Sequence, residues 1–287
     1  MAIEVKGLTH VYMQDTPFET RALNEISLSV NDGEFIGIIG HTGSGKSTLI
    51  SHLNALEKSA AGTVFVDGID LGGKDVALSD VRRRVGLVFQ YPEYQLFEET
   101  VEKDIAFGPS NLKLPQAEIA ARVERAMAQV GLAQELKQVS PFELSGGQKR
   151  RVAIAGVLAM QPSTLILDEP AAGLDPAGRR DMLRLIQSVH ESRVTVIMVS
   201  HSMDDVGRLC DRVFVLNHGS IALSGTPAEV FEHAEELREI GLDVPEYARL
   251  AALLRQKGFD IPQGVYTLEA MEEAVLRNLQ NEGVRPC

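Results

Sequence analysis

The stretch GHTGSGKST, from Gly40 to Thr48, carries the clearest chemistry in this sequence. It fits the pattern G-x-x-x-x-G-K-[ST] and lies between an apolar run and a helix-like segment, as that pattern requires. Backbone N–H groups of such a loop converge on a phosphate, and the lysine adds a positive charge beside it. The sequence therefore predicts a nucleoside triphosphate site formed by Gly40, His41, Thr42, Gly43, Ser44, Gly45, Lys46, Ser47 and Thr48.

Two adjacent carboxylates close the apolar run TLILD: Asp168 is its last residue and Glu169 follows directly. In P-loop enzymes an aspartate at this place and the loop serine hydroxyl hold Mg²⁺, which makes Asp168 and Ser47 candidate ligands. Glu169 would then polarise the water that attacks the γ-phosphate. The alternative is a pair of surface acids with no catalytic role.

Two more polar residues end apolar runs: His201 follows VTVIMVS and Gln90 follows VGLVF. Ligands of open parallel sheets bind where the carboxyl ends of the strands meet, so both side chains are expected near Lys46. We predict that His201 bonds the γ-phosphate or the attacking water. Gln90 would contact the water or the metal, as a third ligand beside Ser47 and Asp168. Considered alone, a histidine at such a place more often has a structural role, and a structural role explains Gln90 equally well.

Tyr12 is the predicted platform for the nucleotide base. An aromatic ring near the N-terminus could stack on the base while the glycine loop holds the phosphates. Phe18 is the second candidate for this role. A tyrosine that only packs in the fold explains the residue nearly as well, so both interpretations stay open.

A second glycine-rich stretch, LSGGQKRR, begins at Leu144. Ser145 and Gln148 fit the capping box S-x-x-Q, which is ordinary helix chemistry. Such a cap does not explain Gly146 and Gly147, because each glycine costs a helix about 1 kcal/mol. Both are explained if a phosphate must approach bare backbone at the positive end of the helix. We therefore predict that Ser145, Gly146, Gly147 and Gln148 contact the ATP of a second chain, packed head to tail on this one.

A doubly wound sheet is needed to hold these loops at one edge. Met1 to about Val30 has the pattern of strands joined by a polar connection. Continuous apolar runs typical of buried strands lie at 35–39, 85–89, 164–168 and 194–200, and TVFVDG and RVFVLNHG are further strands that end in turns. A helix is expected to follow the first glycine loop, from Ser47 to Leu56.

The remaining segments have helical periodicity. Leu114 to Gly131 carries apolar residues at helical spacing, at Ile119, Val123, Met127 and Val130. Three further helical stretches follow Pro227. We predict a nucleotide-binding domain at 1–226, with a helical subdomain at about 97–160, and a C-terminal helical domain at 227–287.

Composition excludes several classes of protein. The 287 residues include 28 basic and 40 acidic side chains, a net charge of −12 that disfavours a nucleic-acid binder. Two cysteines, Cys210 and Cys287, cannot form a disulfide framework, which favours a reduced, cytosolic chain. The N-terminus lacks the layout of a signal peptide, and no apolar run approaches the ~18 residues of a membrane span. Membrane contact is expected only through a partner.

The motifs together resemble the ATPase subunit of an ABC transporter. In chain order these are GHTGSGKST, Gln90, LSGGQ, LILDEP, GLD and His201, and the resemblance covers roughly Ile3 to Gly225. It implies an α/β P-loop NTPase fold of the ABC-ATPase type, with an N-terminal antiparallel β subdomain, a helical insertion and a C-terminal helical domain. ATP and Mg²⁺ are the implied cofactors. The D-loop reads AAGLD where many relatives have serine and alanine, but its Asp175 is retained.

A narrower resemblance is to energy-coupling factor (ECF) transporters, which import vitamins and transition metals. FQYPEYQLFEETVEKDIAFGP, the opening VYMQDTPFETRAL, His41 and the helical tail resemble the second of the two ATPase subunits in that family. The resemblance implies a peripheral protein on the cytoplasmic face of the cell membrane. Its implied partners are the first ATPase subunit, a transmembrane T component and interchangeable substrate-binding S components.

The same resemblance places two further regions at interfaces. Glu98, Glu99, Glu102 and Asp104 would lie near the groove that receives the T component, the alternative being a solvated acidic face. The tail would contribute to the contact between ATPase subunits, the alternative being a stabilising cap.

Other functions stay open at this point. A dedicated cobalt or nickel importer would use one ATPase type twice, as a homodimer. A non-transport ABC protein of DNA repair or translation usually carries a long coiled coil or two cassettes, and neither occurs here. A regulator that binds nucleotide without turnover conflicts with the complete set of Lys46, Asp168, Glu169 and His201.

Overall fold

The computed structural model describes residues 2–281, and Cys287 and the last part of the predicted tail lie outside this range. The strands are β1 (Ile3–Tyr12), β2 (Thr20–Val30), β3 (Phe35–Ile39), β4 (Val64–Val66), β5 (Ile69–Asp70), β6 (Val85–Val88), β7 (Thr164–Asp168), β8 (Thr195–Val199), β9 (Arg212–Asn217) and β10 (Ser220–Gly225). The helices are α1 (Lys46–Leu53), α2 (Leu78–Arg84), α3 (Val101–Asn111), α4 (Gln116–Gln129), α5 (Gly146–Leu158), α6 (Pro176–Glu191), α7 (Met203–Leu209), α8 (Pro227–Glu232), α9 (Ala234–Glu239), α10 (Glu246–Gln256) and α11 (Leu268–Asn281).

The strands form two sheets. One has the order β2-β1-β4-β5 and is antiparallel, as expected for the N-terminal region. The other has the order β10-β9-β3-β8-β7-β6 and is parallel except for the edge strand β10. This mixed α/β arrangement confirms the predicted fold class.

The parallel sheet is buried on both faces, which is why its central strands are continuous apolar runs. Every residue of β3 and β8 is buried. On β3, Ile36 and Ile38 pack with the antiparallel sheet, whereas Phe35 and Ile39 pack with the helices on the other face. Because successive side chains of a strand point to opposite faces, one short strand serves two cores.

The helical insertion is built from α3, α4 and α5. The predicted apolar positions Ile119, Val123, Met127 and Val130 are all buried in the core that also contains Phe35. Gly131 follows the helix with a φ of +68°, a conformation that glycine adopts without strain and that commonly ends helices.

Two predicted helices differ from the structure in extent. α1 ends at Leu53 rather than Leu56, because Ala55 takes a left-handed conformation with a φ of +55°. The stretch from Ala228 to Gly241 is divided at His233 into α8 and α9.

The tail contributes to two different cores. Val230 and Phe231 of α8 and Leu237 of α9 are buried in the same core as the parallel sheet. A separate small core lies between α10 and α11, formed by Ala251, Ile261, Val265, Met271 and Ala274. Residue 227 therefore marks a change from strands to helices, whereas the separate core begins only with α10.

A single buried arginine on α5 joins three segments of the chain. The Arg150 guanidinium, whose side chain is 3% exposed, donates to both carboxylate oxygens of Glu93 at 2.8 and 3.0 Å. It also donates to the carbonyl oxygens of Pro170 and Ala172, at 3.2 and 2.9 Å, in the loop that follows β7. Glu93 lies in the 3₁₀ turn Pro92–Gln95, just after Gln90. The helix that begins at Gly146 is thus fastened to the segments that follow two central strands.

Glu93→Gln should lower the free energy of unfolding by about 3 kcal/mol, since removing one partner of a buried pair leaves a charge uncompensated. Burial raises the pKa of Glu93, but the hydrogen bonds and charge of Arg150 outweigh it and hold the pKa below 4.5. The stabilisation is therefore present above pH 4.5 and is lost as the pH falls through the lower folded pKa. Denaturant unfolding of the free chain across this pH range measures both effects.

Glu99→Gln is the matched control, because it removes an exposed ion pair with Lys103. Exposed pairs contribute little, so this variant should unfold almost as the parent does. Equal losses in the two variants would contradict a special role for Arg150.

Candidate nucleotide-binding and hydrolysis site

The parallel sheet brings the predicted catalytic residues to one edge. The Lys46 loop follows β3, His201 follows β8, Asp168 ends β7, and Glu169 comes directly after it. These three strands are neighbours in the order β3-β8-β7, and β6, which precedes Gln90, is next to β7. The expectation that these residues share the carboxyl edge of the sheet agrees with this topology.

The glycine loop has the geometry of an anion cradle. Gly45 is the N-cap of α1 with a φ of +104°, and no side chain caps the first N–H groups of the helix. A Cβ on Gly45 would lie 2.5 Å from the carbonyl oxygen of Ala22, so only glycine fits there. The uncapped N–H groups and the helix dipole favour an anion at this point.

Lys46 closes the loop on itself. Its Nζ atom donates to the carbonyl oxygens of Gly40 at 2.6 Å and His41 at 2.9 Å. Burial lowers the pKa of Lys46, although the carboxylates of Glu169 and Asp168 act in the opposite direction. A phosphate beside Nζ would supply the negative charge that a buried ammonium needs.

The donor set beside this loop fits a magnesium ion. Asp168 is partly buried and, within residues 2–281, its carboxylate has no hydrogen-bond partner. Burial raises its pKa, and the charge of Lys46 only partly offsets this. A carboxylate and the Ser47 hydroxyl are oxygen donors of the kind that Mg²⁺ prefers. The exposed Gln90 lies on the same sheet edge and could add a third oxygen.

Glu169 and His201, both predicted to act in catalysis, lie next to each other in the structure. The His201 Nε2 and Glu169 Oε1 atoms are 3.1 Å apart, but Oε1 has no hydrogen bond of good geometry. Burial is the main cause that raises the pKa of Glu169 to about 7, and the nearby Asp168 charge adds to it. A carboxylate with a pKa near neutrality is suited to accept a proton from water.

The backbone of Glu169 is itself strained. Its φ is +50°, a conformation that non-glycine residues rarely adopt, and its N–H donates to the carbonyl oxygen of Val199 at 3.0 Å. Such strain concentrates at functional sites, where surrounding structure holds it in place. Here Val199, the last residue of β8, holds the backbone of Glu169 just after β7.

Tyr12 lies against the first turn of α1. Its hydroxyl is 3.2 Å from Thr48 Oγ1, and 40% of the residue is exposed. A stacked base could therefore reach its ring while the phosphates occupy the loop. Phe18, the second candidate, is 76% exposed in the connection between β1 and β2.

The second glycine stretch has the expected capping box at the start of its helix. Its two glycines have no close packing neighbours within the chain. Ser145 and Gln148 form a complete capping box, in which Ser145 Oγ accepts from the Gln148 N–H at 3.3 Å. Nothing lies within 4 Å of a Cβ placed on Gly146 or Gly147, so packing within this chain does not require glycine there. The open space leaves room for the predicted phosphate of a second chain to approach the backbone. Asp175 caps α6, accepting from the Gly178 N–H at 2.6 Å.

Sequence reasoning missed the residues that hold these loops in place. Arg150 is one of them, and its only signal was the basic run after LSGGQ. Arg179 of α6 is another: it donates to Asp205 at 2.8 Å and also bonds Ser202, the residue after His201. The sheet order alone could not show that Arg179 reaches the segment that follows β8.

Comparison with known proteins agrees with this geometry. The family model described as ABC transporter matches residues 23–172. The chain is 54% identical to the energy-coupling factor transporter ATP-binding protein EcfA2 of Clostridioides difficile, over 99% of this chain and 100% of that one. The protein of the same name from Clostridium perfringens is 56% identical, over 98% and 99% of the two chains.

Solved structures give the same assignment. CbiO1 of Clostridium perfringens, part of the ABC transporter complex cbiONQ, aligns with a TM-score of 0.73 at 38% identity, over 88% of this chain and 98% of that one. The dimeric ATP-binding cassette MJ0796 in a post-hydrolysis state with ADP and Pi aligns with a TM-score of 0.69 at 28% identity, over 78% and 98%. The chain therefore belongs to the ABC transporter family, among the ATP-hydrolysing subunits of the energy-coupling factor type.

Proposed function

We propose that this chain is the second ATPase subunit of an ECF importer of vitamins or other micronutrients. It binds ATP and Mg²⁺ on the cytoplasmic face of the membrane and acts with another ATPase subunit, a T component and substrate-binding S components. The observation that carries the proposal is a half-complete site. The sheet edge gathers Lys46, Asp168, Glu169 and His201, while the glycines after Ser145 face open space.

Two half-sites imply that a second cassette completes the reaction centre. The helix beginning at Gly146 offers uncrowded backbone N–H groups and a positive dipole end to a phosphate. In a head-to-tail pair, each chain would present this end to the ATP held by the other's Lys46 loop. The dimeric state of the similar cassette MJ0796 supports such an arrangement.

Hydrolysis in this site depends on positioning and charge. Bound Mg²⁺ would neutralise the developing phosphate charge, with Ser47 and Asp168 as its protein ligands. Glu169 accepts the proton of the attacking water, and His201, 3.1 Å away, orients the water or the γ-phosphate. Lys46 stabilises the charge between the β- and γ-phosphates.

An apolar groove between the sheet and the helical insertion suits a membrane partner. Its cavity has a volume of about 330 Å³ and is lined by Leu56, Phe89, Leu96, Phe97, Asp104, Phe107, Gly108 and Met160, among others. Phe97 is 58% exposed and Phe107 is 47% exposed. These exposed aromatic side chains would receive an apolar helix end of the T component. Phe89, which lines the same groove, precedes Gln90 in the chain and would relay the movement to the ATP site.

The acidic residues expected at this groove are largely engaged within the chain. Only Asp104 lines it, and its carboxylate accepts the N–H groups of Phe97 and Glu98 at 3.3 and 3.2 Å. Glu99 and Glu102 pair with Lys103 and Lys137. The aromatic rim therefore offers the better docking surface.

Within residues 2–281, no helix is both long and apolar enough to cross a membrane.

The tail supports contact with the other ATPase subunit. Leu250 and Leu253 of α10 and Leu268 of α11 are between 40% and 52% exposed, although their helices share a buried core. An apolar outer face of this kind favours burial against a neighbouring chain.

High identity to EcfA2 proteins over nearly the whole chain favours an ECF ATPase subunit over a dedicated metal importer.

Glu169→Gln should retain ATP but lower turnover by at least about 100-fold, because a positioned general base contributes that much or more. The measurement is phosphate release by the assembled transporter, together with ATP retention by the same sample. Lys46→Ala is the contrasting variant and should lose ATP binding itself. Normal hydrolysis by the glutamine variant would refute Glu169 as the base.

The acid limb of kcat/KM should report Glu169. A base must be deprotonated to act, so kcat/KM should rise with pH until about pH 7, the pKa of Glu169, and then level off. Steady-state ATPase assays of the assembled complex from pH 5.5 upward measure this. The residual activity of Glu169→Gln should lack this limb. A limb that persists unchanged would assign it to another group.

Replacing both groove phenylalanines, Phe97→Asp with Phe107→Asp, should abolish co-purification with the T component and leave ATP binding intact. Docking would bury the two new carboxylates in an apolar interface, and the cost of removing them from water would oppose it. Ala121→Asp is the control, since it adds a charge at an exposed position of α4 outside the groove. Normal assembly of the double variant would exclude this groove as the docking site.

A further inference from the structure

Two histidines near Tyr12, His10 and His52, have no part in the hydrolysis chemistry described above. His10 of β1 and His52 of α1 are hydrogen-bonded, with His10 Nδ1 and His52 Nε2 3.0 Å apart. The other ring nitrogen of His52, Nδ1, lies 2.9 Å from Ser59 Oγ. His52 is almost completely buried. Water is therefore not available to stabilise a positive charge on its ring.

The buried His52 is uncharged at neutral pH. Burial, and then the proximity of His10, lowers the pKa of His52 to about 4. A hydrogen bond between two imidazoles needs one N–H donor and one bare nitrogen acceptor, and a neutral His52 can supply either one. The bond fixes the rotation of the His10 ring, since His52 is itself held by Ser59.

His10 in turn holds the Tyr12 ring. The two ring centroids are 4.4 Å apart at an interplanar angle of 70°, an edge-to-face contact. The Tyr12 hydroxyl is bonded separately to Thr48 Oγ1. Thr48 and His52 are four residues apart on α1 and lie on the same helix face. Tyr12 is thus fastened at two points to the helix whose first turn forms the phosphate loop.

We propose that His10 and His52 are positioning residues that hold the Tyr12 ring at a fixed place relative to the phosphate loop, ready to stack on the nucleotide base. This inference rests on the proposed function, because it takes Tyr12 as the base platform. The physical consequence is pre-organisation. A ring already immobilised loses little freedom when the base binds, so more of the stacking energy remains as affinity.

A purely structural histidine pair would behave differently from a positioning pair. It would stabilise the contact between β1 and α1, and its loss would weaken every ligand of the phosphate loop alike. A positioning pair affects only ligands that carry a base. Inorganic tripolyphosphate, which has the phosphates and no base, separates the two cases.

The test compares ATP and tripolyphosphate binding by the full chain and its His10→Ala, His52→Asn and Tyr12→Ala variants. We expect Tyr12→Ala to raise the Kd for ATP about tenfold, from the loss of base stacking. Both histidine variants should raise it about fivefold, as expected for a lost edge-to-face contact. The Kd for tripolyphosphate should not change. His233→Ala, in the tail and half exposed, is the control and should bind both ligands normally.

A second readout uses the absence of tryptophan from this sequence. Tyr12→Trp makes the platform the sole tryptophan, so its fluorescence anisotropy reports the mobility of the ring. Adding His10→Ala should lower the anisotropy of the free protein and reduce the fluorescence change on ATP addition. An unchanged anisotropy would overturn the inference.

The outcomes separate this inference from the proposed function. If Tyr12→Ala weakens ATP alone and the histidine variants have no effect, the positioning role fails while the base platform stands. If the histidine variants weaken ATP and tripolyphosphate equally, the pair is structural and the inference fails. If Tyr12→Ala leaves ATP binding unchanged, the base platform is wrong and the inference fails with it.

Discussion

Hydrogen bonds from one buried arginine hold the helix of the second glycine stretch against the segments that follow Gln90 and Glu169. Arg150 joins the helix that begins at Gly146, the turn that contains Glu93, and the loop that follows Glu169. A desolvated guanidinium is tolerated only because its donors meet a carboxylate and two carbonyl oxygens. Any movement of the turn after Gln90 must therefore be shared by the helix that begins at Gly146. In the proposed assembly, these bonds would connect the docking groove to the composite ATP site.

The sheet edge creates a second constraint, on charge. Asp168 and Glu169 lie side by side in a partly buried place, and burial raises the pKa of both. A metal ion would satisfy Asp168, whereas Glu169 keeps a carboxylate oxygen without a hydrogen bond. Burial thus disfavours a negative charge on both residues. A cation would balance the charge of Asp168, whereas a proton would neutralise Glu169. The left-handed backbone of Glu169 shows that the fold maintains this arrangement at some cost.

The two glycine-rich loops differ in what they require from the rest of the chain. In the first, packing against Ala22 leaves room only for glycine at position 45. In the second, Gly146 and Gly147 face open space, and the capping box of Ser145 and Gln148 already satisfies the helix start. The first loop is explained by its own fold. Packing within the chain does not account for the second, which is the basis for proposing that it completes the ATP site of another chain.

The sequence by itself determined the chemistry and the order of the elements. The loop at Gly40, the acids after TLILD and the apolar runs of β3 and β8 each depend on neighbours in the chain, so local pattern was sufficient. Tertiary structure alone decided which distant side chains meet: Arg150 with Glu93, Arg179 with Asp205, and His10 with His52. These pairs join residues far apart in sequence, and nothing in the local pattern of either partner specifies the other. Their geometry follows from sheet order and helix packing, which place side chains in contact only after the whole core has formed.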